Sequence, residues 1–128
     1  MGRLRYLLVV AAVAAVPIAL ACEPQTSTSR PATASVGDAA AGRRLIGQEG
    51  CGACHEIPGV DGATGLVGPP LERMGERSYI AGELANTQPN MIRWLMDPQA
   101  VEPGTAMPDL GITEAQAEDI SAYLASLR

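Results

Sequence analysis

The chain has 128 residues, with 14 Asp and Glu against 9 basic residues, a formal net charge of −5, 47% hydrophobic content, 3% aromatics and no phenylalanine. It contains no lysine. Without a basic patch it lacks the footprint that binding to a nucleic-acid backbone requires, so nucleic acid is excluded as a partner.

In chain order, Arg3 and Arg5 precede an apolar run from Leu7 to Ala21 that Pro17 interrupts. The run is shorter than the ~20 residues of a spanning helix and reads as an export signal over residues 1–21. Ile18-Ala19-Leu20-Ala21-Cys22 resembles a bacterial lipobox. That resemblance implies cleavage before Cys22 and lipidation of its sulfur and new amino terminus. Ala19 stands where leucine is commonest, which leaves an ordinary signal cleaved near Ala21 as the alternative. Several acyl chains on Cys22 would hold the chain firmly at a membrane surface, since one chain binds only marginally. The expected location is the periplasm or the outer face of the cytoplasmic membrane. Residues 22–36, rich in Pro, Thr, Ser and Ala, read as a flexible linker between the lipid and the domain. Loss of Arg3 and Arg5 with the signal would leave seven arginines against fourteen acids.

Residues 37–128 form one small domain, of a size at which an apolar core alone is often marginal. A large buried cofactor would supply the missing apolar mass. Asp38 can cap a helix running to about Gln48, with Ala41, Leu45 and Ile46 on its inner face and Gly50 ending it. Gly42 lies on that face too. A glycine inside a helix costs about 1 kcal/mol against alanine, so its presence points either to a close helix crossing or to drift in an Ala/Gly-rich stretch.

Cys51-Gly52-Ala53-Cys54-His55 follows directly. Two thiols and an imidazole at this spacing attach a c-type haem: the cysteines form thioethers to the vinyl groups, and the histidine after the second reaches the iron. Two other readings compete. A zinc site wants four ligands, and the chain has no second Cys or His pair, because His55 is its only histidine and Cys22 its only other cysteine. A thioredoxin-like dithiol expects a βαβ context, and no alternating β-branched strands flank the motif. With Cys22 assigned to lipid and Cys51 and Cys54 to haem, no odd thiol remains.

Pro58 to Pro70 is rich in glycine and proline and reads as an irregular connection wrapping the cofactor. At its end, Gly68-Pro69-Pro70-Leu71, the carbonyl near Pro69 is a candidate acceptor for Nδ1 of His55, a bond that fixes ring and tautomer. A short helix is expected over Ser78 to Asn86. Another is expected from about Pro89 to Met96, with Met91, Trp94 and Leu95 on one face and Pro98 preventing continuation. Thr113 and Gln116 make a capping box for a last helix, along which Ile120, Tyr123, Leu124 and Leu127 follow at helical spacing. Met74, Met91 and Met96 read as core filler. Met107 differs, because Pro103-Gly104-Thr105-Ala106-Met107-Pro108 presents it on a proline-bracketed loop suited to a second axial ligand.

From about Asp38 to Arg128 these motifs, in this order, resemble a class I c-type cytochrome. The resemblance implies an all-α fold of four to five short helices around one covalently bound haem c. It also implies that Gly42 packs on the terminal helix near Tyr123, that the Pro69 carbonyl bonds His55, and that Met107 ligates iron opposite His55. Trp94 falls where the family often has a tyrosine beside the haem; its indole donates but cannot accept, so packing is its expected role. The run from Gly82 through Trp94 and Pro98 to Met107 further resembles the cytochrome c domains fused to subunit II of haem-copper oxidases.

With both axial positions filled, the expected function is a membrane-tethered single-electron carrier and not an enzyme. Its expected state is a monomer. Its donor would be a quinol-oxidising complex or dehydrogenase and its acceptor a terminal oxidase or reductase. The alternatives are a fixed haem subunit of such a complex and, further off, a small haem peroxidase or gas sensor, which needs an open or easily displaced iron.

Overall fold

The computed structural model describes residues 36–128. The expected export signal, Cys22 and nearly all of the expected linker lie outside the described residues.

Helix α1, Ala39–Gln48, starts where the Asp38 carboxylate accepts the backbone N–H groups of Ala40 and Ala41, which the first turn would otherwise leave unpaired. Gly42 and Ile46 are buried and Ala41 and Leu45 half-buried, so one stripe of the helix faces inward. Gly50, at φ +72°, turns the chain out of the helix and into the cysteine loop. That left-handed conformation suits glycine, which has no Cβ to clash.

Helix α4, Glu114–Ser126, is the scaffold against which both α1 and α2 pack. Both halves of its capping box are present: the Thr113 hydroxyl accepts the Gln116 N–H, and the Gln116 side chain accepts the Thr113 N–H at 2.8 Å. Ile120, Tyr123 and Leu124 are buried along it, and Leu127 sits half-buried just past its end. A Cβ on Gly42 would fall on the Asp119 carbonyl, so α1 and α4 cross with their backbones in contact. The close crossing therefore exists, but one turn before Tyr123. Tyr123 instead donates its hydroxyl to the Pro58 carbonyl and secures the following loop.

Residues 78–86 correct the expected helix. Tyr79–Ile80 (β1) and Leu84–Ala85 (β2) form a two-stranded antiparallel hairpin in which Tyr79 faces Ala85 and Ile80 faces Leu84. Ala81 and Gly82 both take positive φ, +52° and +79°, and the Glu83 N–H closes the turn on the Ile80 carbonyl at 3.0 Å. Two successive left-handed residues make the turn whose twist matches a hairpin and end any helix. Asn86 then ties the hairpin down, its side-chain amide donating to the carbonyls of Met74 at 2.7 Å and Arg77 at 2.8 Å.

Helix α2, Gln88–Met96, is capped by Thr87 and carries Pro89 in its first turn. Met91 and Leu95 are buried and Trp94 half-buried on the inner face. Pro98 does end α2, but it also opens a further short helix, α3, over Pro98–Val101, with Asp97 accepting from the Ala100 N–H. Met96, expected in the core, lies at the last turn and is 39% exposed; Met74 and Met91 are buried as core residues. The fold is all-α in character: the described residues form four helices, two 3₁₀ turns at Cys51–Ala53 and Met74–Glu76, and the small hairpin.

The chain enters this domain under restraint. The Gln88 side-chain amide accepts the Val36 N–H at 3.0 Å, donates to the Val36 carbonyl, and also donates to the Ser121 hydroxyl at 3.0 Å. The Asp38 N–H reaches the Asp119 carboxylate at 2.7 Å.

Candidate cofactor site

The cysteine loop is shaped locally. Cys51–Ala53 forms a 3₁₀ turn, and the Cys51 carbonyl accepts the N–H groups of both Cys54, at 3.2 Å, and His55, at 3.0 Å. Those shared bonds gather both thiols and the imidazole on one compact turn. The next segment folds back over it through backbone bonds, Gly65 N–H to the Gly52 carbonyl at 3.0 Å and Gly68 N–H to the Cys54 carbonyl at 2.8 Å. Gly52 and Gly65 leave no room for a side chain, since a Cβ at either would strike the backbone of the opposing strand of the loop at Ala63 or Ala53.

Nδ1 of His55 lies 2.7 Å from the Pro69 carbonyl oxygen. A carbonyl can only accept, so Nδ1 carries the proton and the neutral ring keeps its lone pair on Nε2, the nitrogen available to a metal. Gly68 lies flat against the same ring: a Cβ there would sit 2.7 Å from Nδ1 and 2.8 Å from Nε2.

Cys51, Cys54, His55, Pro69, Trp94 and Met107 all line one cleft of about 490 Å³, within the range of ligand pockets. Its remaining walls are largely apolar, built by Ile46 of α1, Leu71, Met74, Ile80 of β1, Met91 and Leu95 of α2, and Ile120 and Leu124 of α4. Glu49, Arg77 and Glu102 stand at it too. The Arg77 guanidinium is engaged by the carbonyls of Pro70 and Glu72. Met107 is half-buried on the loop after α3, where Glu102 to Thr105 form a proline–glycine turn: Gly104 has φ +89°, and the Thr105 N–H reaches the Glu102 carbonyl at 3.0 Å.

Burial raises the Cys51 thiol above its ordinary pKa, with the Glu49 and Cys54 charges adding to the shift against an opposing backbone hydrogen bond. A nucleophilic dithiol needs the opposite shift, toward the thiolate, so the environment disfavours a thioredoxin-like role for the pair. Nor do the described residues hold any cluster of three or more His, Cys, Asp or Glu suited to a metal ion alone. The donor set fits a haem: two thiols for its edge, an oriented imidazole and a thioether for its iron, and apolar walls for its faces.

Residues 39–128 match the family described as cytochrome c, and the chain belongs to that family of electron-transfer domains. Among curated proteins it is similar to cytochrome c oxidase subunit 2 of Alkalihalophilus pseudofirmus, with 36% identity over 68% of this chain and 25% of the relative. The same-named subunit of Bacillus sp. strain PS3 is 34% identical over 65% of this chain and 24% of its own length, and that of Bacillus subtilis strain 168 is 30% identical over 68% and 26%. The chain thus spans about a quarter of the length of these relatives. No helix among the described residues is long and apolar enough to cross a membrane.

Two contributors to the site escape a reading of the sequence. Gly68 was legible only as the neighbour of Pro69, yet it sets how closely the backbone approaches the imidazole. Gln99 carries no motif at all and appears beside Met107 only through the fold.

Proposed function

We propose that this chain is a single-electron carrier bearing one haem c, joined to Cys51 and Cys54 by thioethers and ligated by His55 and Met107, and tethered to a membrane through lipid on Cys22. In this reading residues 1–21 are the export signal, 22–36 the tether and 37–128 the carrier domain. When bound, the haem supplies a reversible one-electron couple. The observation that carries the reading is the meeting of both thiols, the imidazole and the Met107 thioether on the walls of one apolar cleft.

The residues around that cleft then have definite tasks. Pro69 holds His55 in the tautomer that presents Nε2. Met107 favours the reduced state as a thioether ligand, and apolar walls that exclude water act in the same direction. With His55 and Met107 both engaged, no position is left for substrate, which separates a carrier from a peroxidase or gas sensor.

The docking face follows from exposure and charge. Val67 is 73% and Tyr79 62% exposed, both border the cleft, and Leu66, next to Val67 in the chain, is 87% exposed. In an acidic chain without lysine, this patch suits a redox partner with an apolar face and a basic rim.

Absorption spectra of the protein, expressed with c-type cytochrome maturation, test the proposal. Sharp reduced α and β bands, haem that survives acid-acetone extraction, and the weak far-red band of methionine-to-ferric-iron ligation are expected. Colourless protein, or haem that extracts freely, refutes the thioether assignment.

The relatives favour a second reading, in which the domain is a fixed haem subunit of an oxidase complex. Purification in mild detergent distinguishes the two: the carrier elutes alone, whereas a subunit is recovered in stoichiometric amount with a larger complex.

A further inference from the structure

We infer that Gln99 is the positioning residue for Met107, a side-chain template that holds the ligand loop in place from outside. The inference rests on the proposal that Met107 ligates iron. Gln99 lies on α3 directly after Pro98, which is fully buried and anchors that helix. Its Oε1 accepts the Gly104 N–H at 3.1 Å, while its Nε2 donates to the Thr105 carbonyl at 2.8 Å and the Met107 carbonyl at 3.1 Å. Carbonyls only accept and an N–H only donates, so these three partners admit one orientation of the amide.

Both N–H donors of Gln99 and its acceptor are therefore spent on three residues of one short stretch, Gly104, Thr105 and Met107. The loop has little else. Besides the Glu102–Thr105 turn, the described hydrogen bonds to Met107 are its carbonyl to Gln99 and its N–H to the Thr105 hydroxyl, a long 3.4 Å. Gln99 is itself solvent-exposed, so its contribution is these bonds and not core packing. Without them the Met107 backbone is held only through Thr105, and the thioether can leave the iron more often.

The chemistry separates a template from a merely tolerated glutamine. Ionised glutamate at position 99 can still accept from Gly104 but cannot donate, and its charge faces the carbonyls of Thr105 and Met107.

The test uses full-chain holoprotein of the wild type, Gln99→Ala and Gln99→Glu, with covalent haem verified in each. The far-red methionine band and the rate of cyanide binding to ferric protein are both measured at pH 7. Asp97 and Glu102, the carboxylates flanking α3, are present in all three proteins, so the ratio of variant to wild type isolates position 99. Gln99→Ala should bind cyanide about tenfold faster or more, the factor that one net hydrogen bond approaches. Gln99→Glu, which keeps the acceptor for Gly104 but loses both donors, should also show a weakened band and faster cyanide binding. Wild-type band intensity and cyanide rate in both variants would overturn the inference while leaving Met107 as ligand. A wild type that lacks the band removes the ligand itself and this inference with it.

Discussion

Replacing Gly68 by alanine tests the packing of the imidazole directly. The added Cβ would stand 2.7 Å from Nδ1 of His55 and 2.8 Å from Nε2, against the ~3.5 Å at which carbon contacts become favourable. Cε1 lies nearer still, so ring and backbone must separate by more than about 0.8 Å, the shortfall of the Nδ1 contact from ~3.5 Å. The Nδ1 to Pro69 bond now measures 2.7 Å, and a shift of that size carries it to the limit at which it ceases to be a hydrogen bond. Overpacking costs about 1–3 kcal/mol and the lost bond about 1 kcal/mol more, roughly 2–4 kcal/mol together. For a domain of this size each kcal/mol moves Tm by roughly 4–8 °C, so a fall of about 8–30 °C is expected. Thermal unfolding of the holoprotein, followed by far-UV circular dichroism, reads it. Gly47→Ala is the control: the nearest atom to its Cβ is Val60 Cγ1 at 4.0 Å, and helix entropy favours the change by about 0.5–1 kcal/mol. If Gly68→Ala melts within about 2 °C of the wild type, the ring is not confined as argued and the reasoning fails.

Gly42→Ala should be the most damaging glycine substitution in α1, because its Cβ meets the Asp119 carbonyl and the helices must part; little holoprotein should accumulate, and a normal yield would show that the crossing can widen. Asn86→Ala removes two hydrogen bonds, one to the Arg77 carbonyl and one to the Met74 carbonyl, which keeps the Arg77 N–H, and should cost about 1–3 kcal/mol in urea unfolding, with an unchanged midpoint as the contrary result. Thr113→Ala removes half of the α4 capping box and should cost about 1 kcal/mol, seen as a lower midpoint at constant m value; a loss below a few tenths would mean that Gln116 alone suffices.

Local chemistry explains which elements were legible. Asp38 before an apolar stripe and Thr113 with Gln116 announce helix starts because a cap needs only its own first turn, and both helices begin there. The region 78–86 was misread for a complementary reason. Glu83, Leu84 and Ala85 are good helix formers, but two left-handed residues at 81 and 82 and the anchoring of Asn86 on Met74 and Arg77 favour a hairpin. Met96 was placed in the core by helical spacing, yet α2 ends beside it and leaves it exposed.

The make-up of the cysteine loop is a local property of the chain. Two thiols and an imidazole within five residues share one turn whatever surrounds them, because bonds to the Cys51 carbonyl hold that turn together. Local sequence also marks Met107 as loop-borne, since prolines restrict φ without reference to the rest of the fold. That these groups face one cleft is visible in the folded chain alone. That meeting depends on how closely α1 can approach α4 at Gly42, on a hairpin in place of a helix, and on a glutamine that holds the methionine loop. Contacts between residues far apart in the chain rest on packing and shape, which no local pattern encodes.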